Sequence, residues 1–499
     1  MLSVLDKYFQ NSNTKTVLKF LLAASFLKLI YIAFIPITPQ EAYYWYYSKN
    51  PDFSYFDHPP MTAYSIWLGT NIFGDNSFGV KFLAVVWSFL TQFLLYITAK
   101  RFFMTFQSES ESEKKSFLSL LIYNLTIFGH LYSVTIVPDT PLLFFWLLVI
   151  YSVQEYLLTN KNRFWILAGL SLGLGMLSKY SMVIITVAIF IMFIISKVRR
   201  KELLNPFIYL AVIVSVIVFT PVLYWNFRHE WASFLFQTVE RAEKTKAFTF
   251  KYFFQLIVSQ FFMLTPFVFV LIAITLKKWF GKIKNNFNAG IYFLSAAVTI
   301  ILFTYVSFKS LVKMNWLLPG YLGAIILSAD VVFASKIRLK KTLVIISVGL
   351  IIIGYSVMIF PNIPLGEGNT WSGWKDAAGK IYQIQNKLGG KEKVFVFGNS
   401  YKSAAMTKFY LPDKQNTYAE NIFGQRALQF DYWSNPNELK GKNALYVFDN
   451  RKEYKAKLGL VEKYFDKVEP IKKFEYKFFG ITTRIINCYL CVNYHGTEE

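Results

Sequence analysis

The chain has 499 residues, 54% of them hydrophobic and 19% aromatic, with 17% charged and a formal net charge of +23. A soluble protein of this length carries more charge and less Phe, Leu and Ile, so the composition excludes an ordinary cytosolic enzyme. A basic balance can signal nucleic acid, but here the excess Lys and Arg falls in short loops between apolar runs, the pattern of the positive-inside rule, and no nucleic-acid partner is expected.

Apolar runs of membrane-spanning length recur from about Val17 to Phe360. The first, Val17 to Pro36, is too long for a cleaved signal peptide and lacks a small-residue cleavage site, so it reads as a span. Lys7 and Lys15 precede it and Lys19 stands in its first turn. Later basic clusters are Lys100-Arg101 with Lys114-Lys115, Lys161 with Arg163, Lys197 to Lys201, Lys277 to Lys284, and Lys336 to Lys341. Placing each on the cytoplasmic side gives about 11 spans joined in pairs by outer loops, with the N-terminus inside and the C-terminus outside. After Phe360, Pro361 to Gly368 is a linker. Trp374 to Leu388 predicts an amphipathic helix; Lys393 to Phe397, Ala444 to Phe448 and Arg484 to Val492 predict strands. The expected architecture is an all-α polytopic membrane domain over residues 1–360 and a small α/β soluble domain over 361–499. Cys488 and Cys491, three apart on a strand, point to opposite faces, and no disulfide is expected between them. There is no G-x-G-x-x-G, P-loop or D-x-D pattern, hence no expected nucleotide cofactor.

The expected outer loops hold the chemistry. Thr38-Pro39-Gln40-Glu41 is a capping box with Pro at the first helical position, so Glu41 either bonds the helix start or serves a substrate. The neighbouring Tyr43, Tyr44 and Tyr55 suit an interfacial aromatic belt, or a surface that stacks on a sugar ring or covers lipid. Asp57-His58 stands before two prolines, which hold it extended; the pair could take a divalent cation, or His58 a phosphate. Asp139, between Pro138 and Pro141, either caps the next span or is functional, an ionisable group beside hydrocarbon being costly. Lys179, in the turn Ser178-Lys179-Tyr180, breaks the positive-inside bias; it either snorkels from a span end or holds a lipid phosphate. Arg228, His229, Lys309 and Lys313 are weaker members of the set. Such acids and bases suit a polyprenyl phosphate-sugar: cations stabilise the departing phosphate and a carboxylate takes the acceptor hydroxyl's proton.

At these residues the sequence resembles the bacterial glycosyltransferase family 39 proteins, relatives of the protein O-mannosyltransferases and lipid A aminoarabinose transferases with the GT-C fold. The matching segments are Gln40 to Trp45, Tyr55 to Met61, Pro138 to Trp146, Leu177 to Tyr180, Pro221 to Asn226 with His229 to Phe234, and Lys313 to Trp316, in the family's order. The resemblance implies an inverting transfer from a polyprenyl-phosphate sugar to an envelope acceptor, at an outward-facing site of a multi-pass bacterial plasma membrane protein. It implies catalytic carboxylates among Glu41, Asp57 and Asp139, and donor phosphate near His58 and Lys179, with Arg228 and Lys313 as further cations. Gln40, Tyr43, Tyr44 and Tyr55 would line the substrate. Some relatives bind a divalent metal, which maps to Asp57 and His229. One departure stands out: the family begins its first motif with Asp-Glu, and this chain has Gln40-Glu41; a neutral amide cannot act as a base. Two other readings are a non-catalytic relative that binds lipid-linked sugar, which Gln40 motivates, and a transporter or flippase. The latter would show inverted repeats and midplane charge.

Overall fold

The computed structural model describes residues 12–197, 199–240, 248–283, 286–334, 341–366, 369–452 and 455–497. The basic residues Lys7, Lys284 and those at 336–340, and part of the fourth outer loop at 241–247, lie outside the described residues. Its helices run α1 Ser12–Phe34, α2 Pro39–Lys49, α3 Met61–Phe73, α4 Ser77–Phe103, α5 Glu109–Asn124, α6 Ile127–Val134, α7 Asp139–Thr159 and α8 Arg163–Met176. There follow α9 Ile184–Ile195, α10 Pro206–Arg228, α11 Lys251–Phe280, α12 Phe287–Ser307, α13 Leu318–Ala334 and α14 Lys341–Ile359. Seven of these are long and apolar enough to cross a membrane, and the bent pair α5–α6 makes an eighth. The expected 11 spans are reached only if three shorter apolar helices, Arg163–Met176, Tyr180–Ile195 and Leu318–Ala334, also cross. The protein is a multi-pass membrane protein with a small C-terminal sheet.

Two compact units divide the chain, and not at a single boundary after residue 360. One comprises Met1–Ala33, His58–Ser65 and Lys81–Tyr355; the other joins Phe34–Asp57 and Ile66–Val80 to Ser356–Glu499. The first unit is the membrane body. Its core runs through α4, α7, α11, α12 and α13, with Trp146, Tyr292 and Leu322 buried in it. Helix–helix packing in lipid relies on small residues and internal bonds rather than on hydrophobic collapse. Accordingly, a Cβ added at Gly323 on α13 would lie 2.3 Å from the Tyr292 carbonyl oxygen of α12, and one at Gly169 on α8 would lie 2.3 Å from the Ala211 carbonyl of α10. Buried Lys115 and Lys100 pair with Asp330 and Glu113, each at 2.8 Å, and half-buried Arg101 pairs with buried Glu155 at 2.6 Å. Lys100, Arg101 and Lys115 therefore knit helix ends together as well as marking a loop. Within α11, Thr265 takes φ 65° before Pro266 and breaks the helix. Its hydroxyl donates to the Leu125 carbonyl at the α5–α6 bend (2.9 Å) and accepts from Ser347 (2.9 Å), so one break caps the other.

The second unit holds a five-stranded sheet in the order β2-β1-β3-β5-β4, with β1 Val394–Gly398, β2 Thr417–Tyr418, β3 Asn443–Asp449, β4 Phe465–Phe478 and β5 Ile481–Tyr494. β1 runs parallel to β2 and β3; β3–β5 and β4–β5 are antiparallel. The expected helix forms as α15, Trp374–Lys387, and α16, Tyr401–Tyr410, follows β1 behind a Ser400–Ser403 capping box. Cys488 and Cys491 are free and buried, opposite Val447 and Ala444 of β3, and burial pushes the Cys488 thiol up to about 12. α2 belongs to this unit and packs on α16: Trp45 meets Phe409 edge-on at 5.0 Å, and the Lys408 ammonium lies 3.8 Å over the Tyr46 ring.

Two outcomes follow. Gly323→Val forces a side chain into backbone that cannot yield, and should cost about 1–3 kcal/mol or more, read as a lower thermal midpoint and lost monodispersity of the detergent-purified chain. Burial lifts the Glu420 carboxyl from 4.5 to about 8, and its Oε2 has no hydrogen-bond partner among the described residues. An acid raised in the folded state stabilises the fold below its unfolded value and loses that contribution as pH climbs through its folded value. The thermal midpoint of the full chain should therefore fall between about pH 5 and about pH 8, and Glu420→Gln should flatten that fall.

Candidate active site

Asp139 opens α7, yet it does not cap it. The local turn is closed by Thr140, whose hydroxyl accepts from the Val137 N–H (3.3 Å) and donates to the Thr135 carbonyl (3.0 Å). This leaves both carboxylate oxygens of Asp139 for other partners. Oδ1 accepts from the Lys179 ammonium at 2.8 Å and Oδ2 from the Asn315 amide at 2.6 Å. Asp139 is 1% exposed and the Lys179 side chain 11%. The snorkelling alternative for Lys179 does not describe this side chain, which turns inward to a buried carboxylate. Its backbone is fixed too: the Lys179 N–H donates to Gly175 O at 2.9 Å, ending α8.

Neighbouring loops brace this turn. The Met61 N–H donates to Leu177 O at 2.9 Å, so Pro59-Pro60-Met61 runs beside it; His58, half-buried, begins that stretch. The Tyr180 hydroxyl bonds Ser233 Oγ at 2.7 Å, tying the turn to the fourth loop. There the backbone turns through left-handed Glu230 (φ 53°) and Trp231 (φ 59°). His229 stacks on Trp225 with ring centroids 4.0 Å apart, and its Nδ1 lies 2.8 Å from the Trp225 carbonyl. Arg228 is exposed, its guanidinium 3.5 Å from the Tyr224 hydroxyl, and Lys313 is exposed in the loop that carries Asn315. Asn315 was legible only as part of Lys313-Met-Asn-Trp, without a role. Lys81, fully buried near the start of α4, was not singled out at all.

The first-loop candidates lie in the other unit. Glu41 is buried and completes the capping box: its Oε2 accepts from the Thr38 N–H (2.8 Å) and hydroxyl (3.0 Å), and the Glu41 N–H donates to Thr38 Oγ1 (3.3 Å). Gln40, beside it, is half-buried. Asp57 Oδ1 accepts from the Tyr43 hydroxyl at 3.1 Å and from the Tyr47 hydroxyl. Burial and this carboxylate raise both phenols well above their ordinary range. Tyr55 stacks on Tyr47 at 4.0 Å and Tyr44 is buried against it. Residues of the C-terminal sheet domain close the cluster: the Phe56 N–H donates to Gln429 Oε1 at 2.6 Å, and the Gln429 N–H to Tyr43 Oη at 3.2 Å. These tyrosines are a packed core, so the sugar-stacking alternative has no open ring face in Tyr43 or Tyr55. As for a metal, no group of three or more His, Cys, Asp or Glu among the described residues is placed to hold one. Asp57 Oδ1 accepts from the two phenols, and His229 Nδ1 lies against the Trp225 carbonyl.

Removing one member of a buried ion pair leaves the other uncompensated, at about 3–5 kcal/mol. Lys179→Met should lower the thermal midpoint of the full chain markedly. Adding Asp139→Asn to it should restore much of the loss; equal midpoints for single and double variants would refute the pairing.

Residues 57–225 match the dolichyl-phosphate-mannose-protein mannosyltransferase family profile. An uncharacterized protein of Aquifex aeolicus is 26% identical over 327 residues, 62% of this chain and 61% of its own length. The lipid A galacturonosyltransferase RgtD of Rhizobium johnstonii is 29% identical over 194 residues, 38% of each chain. The matched stretches thus span about three fifths and two fifths of these relatives. Among solved structures, ArnT of Cupriavidus metallidurans in the apo state superposes with a TM-score of 0.62 at 13% identity, over 96% of this chain and 98% of that one. ArnT bound to undecaprenyl phosphate gives 0.62 at 12% identity over the same shares. The profile thus covers about a third of the chain, and nearly the whole chain takes the ArnT-like GT-C fold.

Proposed function

We propose that this protein moves a sugar from a polyprenyl-phosphate donor to an envelope acceptor on the outer face of a bacterial plasma membrane, inverting the anomeric centre. The observation that carries the reading is the buried Asp139 carboxylate, freed from capping and held between Lys179 and Asn315. A desolvated ion pair beside hydrocarbon is a poor device for stability alone. It is well suited to a site that must accept a phosphate, because an anion arriving at Lys179 can share the ammonium and release the carboxylate. ArnT, which shares the fold, is solved with undecaprenyl phosphate, and RgtD is named for lipid A; both support a lipid-linked donor and a glycoconjugate acceptor.

In the proposed step Asp139 takes the proton of the acceptor hydroxyl, whose oxygen attacks the anomeric carbon. The bond from that carbon to the phosphate oxygen breaks, and its electron pair leaves with the polyprenyl phosphate. Lys179 stabilises the departing charge, with Arg228 and Lys313 as further cations and His58 as a further phosphate contact. Glu41 and Asp57 are weaker candidates for the base, since one caps α2 and the other accepts from two phenols. A second reading has one observation in its favour: Gln40 lacks a carboxylate and Glu41 spends its own on the cap, as in a non-catalytic binder of lipid-linked sugar.

Purified protein offered undecaprenyl phosphate-linked sugars with extracted membrane acceptors should release undecaprenyl phosphate. Asp139→Asn should cut that release by about 10²–10⁴-fold. Donor binding without release from any donor would favour the binder; undiminished release by the variant would remove Asp139 from the chemistry.

A further inference from the structure

The C-terminal sheet domain carries two adjoining clefts at its edge strand β2. The smaller, about 120 Å³, is lined by Tyr46, Asn50, Asn416, Tyr418, Trp433 and Glu438, among others. Trp433 is stacked on Tyr46 with centroids 4.5 Å apart. The Asn416 amide is oriented by Lys408, whose ammonium donates to its Oδ1 at 2.6 Å, so the amide hydrogens are the group it presents. Aromatic surface ringed by side-chain amides and one carboxylate matches a pyranose, which has an apolar face and a rim of hydroxyls. The larger cleft, about 370 Å³, shares Asn416 and Tyr418 with the first and is lined by Lys391, Lys414 and Lys442 against a single acid, Glu392. Lys414 is engaged by the Phe409 carbonyl and ring, and Lys391 lies 4.0 Å from Asp413. Lys391 and the half-buried Lys442 are the cations nearest to hand for a ligand.

We propose that these two clefts form one binding site for an anionic saccharide. The pyranose ring lies against Trp433 and Tyr418, and its phosphate or carboxylate faces Lys391 and Lys442. That the ligand is the acceptor rests on the transferase reading; that the domain binds such a sugar does not.

The full chain in phosphatidylcholine nanodiscs, free of sugar-headed detergent, is titrated with glucose, glucose 1-phosphate, galacturonate and inorganic phosphate. The two anionic sugars should bind at least about fivefold tighter than glucose or inorganic phosphate, a preference that added salt weakens. The surface variant Lys391→Ala with Lys442→Ala should erase the preference, and Trp433→Ala should weaken all three sugars. Equal binding of charged and neutral sugars, a preference untouched by the lysine variant, or phosphate binding as tightly as its sugar ester would each overturn the proposal. An anionic glycolipid in the disc, compared with its delipidated oligosaccharide, assigns the source: tighter binding of the first to a lipid headgroup, equal binding to a free glycan chain. Release of undecaprenyl phosphate is followed in parallel. Release without the binding preference sinks this site and leaves the transferase; the preference without release leaves the site and sinks the transferase.

Discussion

A carboxylate withdrawn from water beside hydrocarbon must have fixed partners, and the body of this protein is arranged around supplying them to Asp139. In the turn after α8, Lys179 reaches inward to Asp139. That turn is braced by the Pro59-Pro60-Met61 stretch on one side and by Tyr180 against the fourth loop on the other. The loop before α13 is placed to bring Asn315 to the second carboxylate oxygen. Two segments far apart in sequence thus converge on one acid, and two more brace one of them. The same rule governs the helix ends, where buried Lys100 and Lys115 each meet an acid and half-buried Arg101 meets Glu155.

Much of this was legible in the chain. Hydropathy and basic loops gave a polytopic protein, and the fall in hydropathy after Phe360 gave a mixed α/β tail. The Thr38–Glu41 capping box is a local pattern and forms as such. Lys179 stood out because it broke a charge rule. What the sequence did not reveal was pairing at a distance. Asp139 also read as a cap, with Pro141 starting the helix; the Thr140 bonds show the cap to be taken. Strand β4 escaped notice for a physical reason: it is an edge strand, mostly exposed, rich in Lys and carrying Pro470. Those features guard an edge against pairing with another chain and also hide its periodicity.

The tyrosines of the first loop show the limits of composition from the other side. Their density suggested a surface at the lipid interface or against a sugar. In the structure they are interior, stacked on one another and bonded to Asp57, with Gln429 and Phe430 from the C-terminal domain completing the cluster. Nothing in the local sequence distinguishes an aromatic belt from an aromatic core when the covering residues lie elsewhere in the chain.

That arrangement has a consequence for biogenesis. Tyr43 and its partner Gln429 are 386 positions apart, and Phe56 and Gln429 are 373 apart. A ribosome feeding this chain into the membrane delivers α2 early and its cover almost last. α16 emerges shortly before and can pack on α2, but until then the tyrosine cluster lacks Gln429 and Phe430, and the cost of closing so long a loop falls near the end of synthesis. A truncated product that stops short of residue 429 would insert its spans yet leave that aromatic surface incompletely covered, a ready mark for chaperones and proteases to tell finished molecules from unfinished ones.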